Sequence, residues 1–272
     1  MASGVRWKSK EKAAVALEEP ISSLYKAMQE WEPLEAMLVH TSVVLTMDIS
    51  KAQIFSCACF GVRREVAMAS HSSASAYSAR SSRLLEEIDE PEAPVMWQLG
   101  MEEAFFLASH LGCISIYRHG RQGRETLCKE EVWRCMQSSN PDFGYLCIAY
   151  AHLRAKHWVV RSGIQYGAHF MAYRHHPEFV HSDYSVIVMV EGQEERMKTW
   201  TEVAGNNRLC RSVAKTQLLF HIIPKCEEID MSSPSCQEAF TVEAVEFRRW
   251  LSEKNREESD QTILPSSDQA ST

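Results

Sequence analysis

Apolar residues recur at helical spacing from Pro20 to Trp31, where Ile21, Leu24, Tyr25, Met28 and Trp31 fall on one face, and this predicts an amphipathic helix. Residues 36–48 and 52–60 are instead β-branched or continuous apolar runs, and both read as strands. The pattern then dissolves between Ala69 and Ser82, ASHSSASAYSARSS, which is too polar and too rich in small residues to bury much. That stretch predicts a flexible loop, and an acidic run, Glu86–Glu92, follows it with Pro91 and Pro94. Helical spacing returns at Gly100–Leu111, with Met101, Ala104, Phe105, Ala108 and Leu111 on one side. Cys113–Tyr117 reads as a short strand and Glu130–Gln137 as a helix, broken by the Asn-Pro pair within Ser138–Asp142.

The second half is more sharply punctuated. Phe143–Lys156 predicts a helix with Leu146, Ala149, Tyr150 and Leu153 inward. Trp158–Arg161 is a strand with a turn at Gly163, and His169–Tyr173 and Tyr184–Val190 are strands. Arg196–Arg208 predicts a helix carrying Trp200 and Val203, Thr216–Ile223 a buried strand, and Phe240–Phe247 a further strand. The fold class expected is α/β (mixed α+β). An N-terminal mixed domain spans 1–140 and includes the Ser-rich loop at about 69–94. A second domain, 141–252, has a mixed central sheet flanked by helices, and 253–272 is a polar tail expected to be disordered.

Composition narrows the class. Of 272 residues, 45% are hydrophobic and 24% charged, ordinary for a globular chain with a core. No apolar run approaches the roughly 20 residues of a membrane helix. The first residues, MASGVRWKSKEKAAVALEEP, are basic without an apolar segment behind them, so no secretory signal is read and an intracellular protein is expected. Nine irregularly spaced cysteines with no C-x-x-C suit reduced buried thiols better than disulfides or a zinc site. The net charge of −7 argues against nucleic-acid binding by bulk electrostatics. It leaves room for a small basic site, or for a partner that supplies positive charge.

Three residues carry candidate chemistry. Tyr173 closes one predicted strand and His181 opens the next, across a short connection holding Pro177 that predicts an antiparallel pair. Lys215 opens a third strand after a helical crossover, and such a crossover returns the chain parallel to the strand it left. All three side chains therefore meet at one sheet edge. A phenol, an imidazole and an ammonium suit cleavage of RNA by its own 2′-hydroxyl: one takes the 2′-OH proton, one protonates the departing 5′-oxygen, and one stabilises the phosphorane. Imidazoles titrate near neutral pH, so His181 suits the acid role, and Lys215 offers the cation. Tyr173 is the least expected base, since phenols are protonated at pH 7; a lowered pKa is expected from Lys215 beside it. Each residue also has a plainer reading, as a packed tyrosine, a turn histidine and a solvated edge lysine.

The surrounding residues decide between these readings. Tyr166-Gly167-Ala168-His169-Phe170, then Tyr173, Pro177, His181-Ser182 and Tyr184–Val188, resembles the signature of tRNA-splicing endonuclease subunits. Arg211-Ser212-Val213-Ala214-Lys215 resembles the context of that family's catalytic lysine. Tyr145–Gly163 is similar to the helix and strand leading into the family's nuclease fold, and Met101–Tyr117 to the preceding domain of eukaryotic catalytic subunits. One departure stands out: Arg174-His175-His176-Pro177 occupies a turn where the family often has Lys-Gly-Pro, with the spacing from Tyr173 to His181 kept. The resemblance implies a catalytic subunit in which Tyr173 is base, His181 acid and Lys215 the transition-state cation, with no metal or other cofactor. It further implies that Arg208 and Trp250 grip an RNA base as a pincer, which favours the 5′ splice site over the 3′ site. The partners implied are precursor tRNA, a second catalytic subunit and two structural subunits in a heterotetramer, without a membrane; the location expected is the nucleus. Two rivals follow: a non-catalytic assembly subunit, against which the intact triad counts, and a magnesium nuclease, for which Glu178 and Asp183 form no paired motif.

Overall fold

The computed structural model describes residues 5–15, 20–64, 94–120, 123–192, 199–212 and 215–247. The Ser-rich stretch with its acidic run, Trp250 and the polar tail from Glu253 lie outside these residues.

Two helices, α1 (Lys10–Val15) and α2 (Pro20–Gln29), precede the first sheet, and Ile21, Tyr25 and Met28 of α2 are buried as their spacing predicts. The first sheet has six strands: β1 (Leu34–Val39), β2 (Ser42–Met47), β3 (Val62–Arg64), β4 (Val95–Gly100), β5 (Ile114–Gly120) and β6 (Gly123–Thr126). Their order is β3-β4-β2-β1-β5-β6, and only β1 and β5 run parallel. The 36–48 run folds back on itself as a tight hairpin, with Val39 facing Ser42.

Residues 52–60 depart from the expected strand. Ile49–Cys57 is a helix, α3, started by the Asp48 carboxylate accepting the Lys51 N–H at 2.8 Å. Ala52 and Phe55, three apart, are its buried residues. A short apolar run carries no period of its own, so the cap and the tertiary packing decide its state.

The helix α4 (Met101–Phe106) continues through a wider turn at Leu107–Leu111, and α5 (Lys129–Ser139) follows β6. The Asn140 side chain accepts the Asp142 N–H at 3.1 Å, closing the break before α6 (Phe143–Ala155). The second sheet holds β7 (Val159–Ser162), β8 (Phe170–Tyr173), β9 (Tyr184–Val190), β10 (Thr216–Pro224) and β11 (Phe240–Phe247), with α7 (Trp200–Ser212) between β9 and β10. Its order is β11-β10-β9-β8-β7, antiparallel except for β9 with β10. Alternation puts Val186, Val188, Leu218, Phe220 and Ile222 in one core with Tyr150 and Leu153 of α6. Met171 and Ile187 face the other way, against Val203 of α7 and Leu219.

Two arginines of the second half hold backbone of the first. Arg154, fully buried, donates to the Tyr150 hydroxyl at 2.8 Å and to the Ala58 and Cys59 carbonyls at 2.9 Å each. Its guanidinium also lies 4.1 Å from the Phe60 ring centroid. Arg161 donates to the Gly61 carbonyl at 2.7 Å. Gly61 sits at φ +59°, and a Cβ there would come within 2.3 Å of the Gln98 carbonyl oxygen, so the close approach of these segments needs glycine.

Candidate active site

The site edge of the second sheet is assembled by register. Ala172 of β8 faces Tyr184 of β9, and Thr216 of β10 faces the same Tyr184 from the other side. Tyr173, residues 181–183 and Lys215 therefore lie at one edge, as the hairpin and crossover argument requires. Asp183 links all three strands through its backbone: its N–H donates to the Ala172 carbonyl and its carbonyl accepts the Thr216 N–H, both at 3.0 Å. The Lys215 N–H donates to the Cys210 carbonyl at 2.9 Å, tying the end of α7 to the start of β10.

Side chains meet at this edge around Tyr166, which ends a short turn, Ile164–Tyr166. The chain then reverses through Gly167 at φ +69°, a conformation suited to glycine. The Lys215 ammonium stands over the Tyr166 ring, 3.6 Å from its centroid, a cation–π contact. Burial lowers the Lys215 pKa; Cys210 opposes this, while the positive charge of Arg6 adds to it.

Tyr173 departs from expectation in one respect. Burial pushes its phenol pKa up, the neighbouring Tyr166 adds to this, and the Ser182 hydroxyl and Arg161 offset only part. The expectation that Lys215 lowers it is corrected, because the ammonium is engaged with Tyr166 rather than with the Tyr173 phenol.

The connection from Arg174 to Asp183 is pinned by charges. The Asp183 carboxylate, 9% exposed, accepts from Arg174 Nε at 2.5 Å and pairs with Arg6 Nε at 3.9 Å. Arg174 also lies over the Trp158 ring, 5.4 Å from its centroid. Rather than standing ready for phosphate, as its loop position suggests, Arg174 is committed to Asp183. In the same connection the two histidines diverge: His175 stacks on Trp7 with centroids 4.9 Å apart, and His176 Nδ1 accepts the Glu178 N–H at 3.2 Å. His181 is exposed at the mouth of the site. Among the described residues, no cluster of three or more His, Cys, Asp or Glu is arranged to hold a metal ion.

An N-terminal strap completes the edge. Trp7 bridges antiparallel to Val180. The Lys8 N–H donates to the Phe179 carbonyl at 2.8 Å, and the His181 N–H donates to the Arg6 carbonyl at 3.1 Å. The Arg6 guanidinium also donates to the Ser182 carbonyl.

Sequence reasoning missed this strap, the platform role of Tyr166 and the structural role of Asp183. Only the last had a local signal, opposite charges at Arg174 and Asp183 bracketing a short connection. Of the two pincer candidates, Arg208 is exposed on α7 and Trp250 lies outside the described residues. Trp200 is 83% exposed at the start of α7, although its helical position suggests packing.

Known proteins are similar to this chain in sequence. The family described as tRNA intron endonuclease, catalytic C-terminal domain, matches residues 143–231, which include Tyr173, His181 and Lys215. The tRNA-splicing endonuclease subunit Sen2-1 of Arabidopsis thaliana is 37% identical over 261 residues, 94% of this chain and 99% of that protein. The probable subunit Sen2 of Oryza sativa subsp. japonica is 39% identical over 177 residues, 63% of this chain and 59% of its own length. Subunit Sen2 of Mus musculus is 34% identical over 171 residues, 60% of this chain but 36% of its own length.

Proposed function

Since the chain belongs to the family of tRNA-splicing endonuclease subunits, we propose that Tyr173, His181 and Lys215 make it a subunit that cuts precursor tRNA. The observation that carries this reading is the shared register at Tyr184, which gathers a phenol, an imidazole and an ammonium at one sheet edge.

Tyr173 takes the proton of the 2′-hydroxyl beside the scissile phosphate. The 2′-oxygen attacks phosphorus, the bond to the 5′-oxygen breaks, and His181 protonates that leaving oxygen. The products are a 2′,3′-cyclic phosphate and a 5′-hydroxyl. Lys215 stabilises the charge gathered on the nonbridging oxygens. An incoming phosphate competes with the Tyr166 ring for this ammonium and, being fully charged, is the stronger partner. A negative charge arriving at Lys215 keeps the lysine protonated against the burial that lowers its pKa.

Arg208, exposed on α7, and Trp250 are proposed to hold an RNA base, and with them the 5′ splice site is the proposed target. The net charge of −7 supports action within an assembly, proposed to contain a second catalytic subunit and two structural ones, in the nucleus.

The test is cleavage of an intron-containing precursor tRNA in EDTA by the assembled enzyme, comparing wild type with His181→Ala and mapping the ends. The expected result is loss of 5′-site cutting by about 10²–10⁴-fold, with 3′-site cutting intact and cyclic-phosphate ends in the wild type. Cutting unchanged at both sites would mean that His181 is structural and that the chain assembles without cutting.

A further inference from the structure

The strap formed by residues 5–8 does more than cover the sheet edge. It meets the connection before β9 on both sides of His181: the Arg6 carbonyl accepts the His181 N–H at 3.1 Å, and the Arg6 guanidinium donates to the Ser182 carbonyl next along the chain. The same guanidinium pairs with Asp183, whose backbone joins β8 to β10. One residue thus holds the peptide unit that enters residue 181 and the one between Ser182 and Asp183, and through Asp183 ties them to the strands beside Tyr173 and Lys215. His181 itself is exposed and lies outside β8 and β9, near the end of the connection between them, so its backbone is held by these strap contacts rather than by a strand ladder.

We propose that Arg6 is a positioning residue for His181, holding the imidazole aimed at the leaving oxygen from an N-terminal strap. The proposal rests on the reading of His181 as general acid. Arg6 is charged and about one-third exposed, but its guanidinium is spent on Ser182 and Asp183. Its removal therefore acts on the chemical step before it acts on RNA affinity. The geometry also distinguishes Arg6 from the cation behind the strap: Lys12 of α1 donates to the Glu178 carbonyl at 3.1 Å, three residues before His181.

The experiment is single-turnover cleavage of precursor tRNA by the assembled endonuclease containing the full chain, as wild type, Arg6→Ala, Arg6→Lys, Lys12→Ala and His181→Ala. Arg6→Ala is expected to lower the rate at saturating enzyme about 10–100-fold, the scale of a misplaced catalytic group. The apparent Kd for the precursor is expected to stay within about twofold of wild type. Arg6→Lys recovers part of the rate, because an ammonium still pairs with Asp183 but lacks the fork that also reaches Ser182. Lys12→Ala cuts at close to the wild-type rate.

An Arg6→Ala rate within about threefold of wild type overturns the proposal. So does weaker binding at an unchanged rate, which would make Arg6 a phosphate contact, and so does an equal loss in Lys12→Ala, which would make the strap a general brace. Retained cutting by His181→Ala sinks the parent reading instead, whereas an inactive His181→Ala beside an active Arg6→Ala sinks this inference alone. If Arg6→Ala fails to assemble, Arg6→Lys against Lys12→Ala carries the same comparison.

Discussion

Two places in this molecule use arginine to bind together segments far apart in sequence, and they do it under opposite conditions. At the junction between the sheets, Arg154 is wholly buried among neutral carbonyls, a phenol and a phenylalanine ring. At the site edge, Arg6 and Arg174 converge on one carboxylate while remaining about one-third exposed themselves. A buried guanidinium without water must have its donors satisfied, and leaving its acceptors bare is costly. A partly wet cluster contributes less energy, because solvent screens it, yet it still fixes direction. The junction is thus built for stability and the edge for aim.

The sharpest way to separate these roles is to change one residue in each place and read both stability and rate. Lys215→Gln should lower the cleavage rate about 10²–10³-fold, the scale of losing one donor to a developing oxyanion, with the unfolding midpoint in urea unchanged. Arg154→Met should do the reverse. It leaves the Ala58 and Cys59 carbonyls without their charged donor and should cost about 3 kcal/mol of stability in urea unfolding. The rate per folded assembly should stay at the wild-type level; a large rate defect would join the two regions that the comparison keeps apart. Asp183→Asn removes the charge but keeps the volume. Its expected cost is about 1–2 kcal/mol, below that of a fully buried pair because both arginines are partly solvated, together with a loss of rate larger than that stability change explains.

The smallest effect is in pH. Burial lowers the Lys215 pKa and Arg6 lowers it further, against Cys210, while Tyr166 covers the ammonium. Lys215 must be charged to work, so the alkaline fall of the single-turnover rate marks its deprotonation. Arg6→Ala removes a positive neighbour, raises the Lys215 pKa and should move that fall to higher pH. Movement to lower pH would mean that Arg6 acts on Lys215 through something other than its charge. Tyr173 must be deprotonated to serve as base, and its raised pKa means that the rate should still climb with pH above neutrality, before the lysine limb sets in.

These contrasts also mark what could be read from the chain alone. The site edge was legible where local rules govern it: Pro177 in a short connection and a helix before Lys215 leave few ways to arrange β8, β9 and β10. Residues 52–60 were misread because a nine-residue apolar run fits strand and helix equally, and the deciding Asp48 cap lies outside the run. Which ring the Lys215 ammonium would choose depends on side-chain placement in three dimensions, and Tyr166 lies nearly fifty residues earlier in the sequence. The strap was invisible for a stronger reason. VRWK near the start has no amphipathic period and no turn chemistry, and its partners exist only once the second sheet has formed.

That last point has a consequence for the newly made chain. Arg6 and the Ser182 carbonyl it holds are 176 residues apart, and at 5–20 residues per second a ribosome needs roughly 10–35 s to deliver the second after the first. Closing so long a loop adds little to the equilibrium cost, since that grows only with the logarithm of length, but it comes late among folding events. The strap contact is therefore a late one: a chain made only as far as Tyr173 has nothing yet for Arg6 to hold, and the edge is completed only once Ser182 and Asp183 have been made and folded beside Arg6.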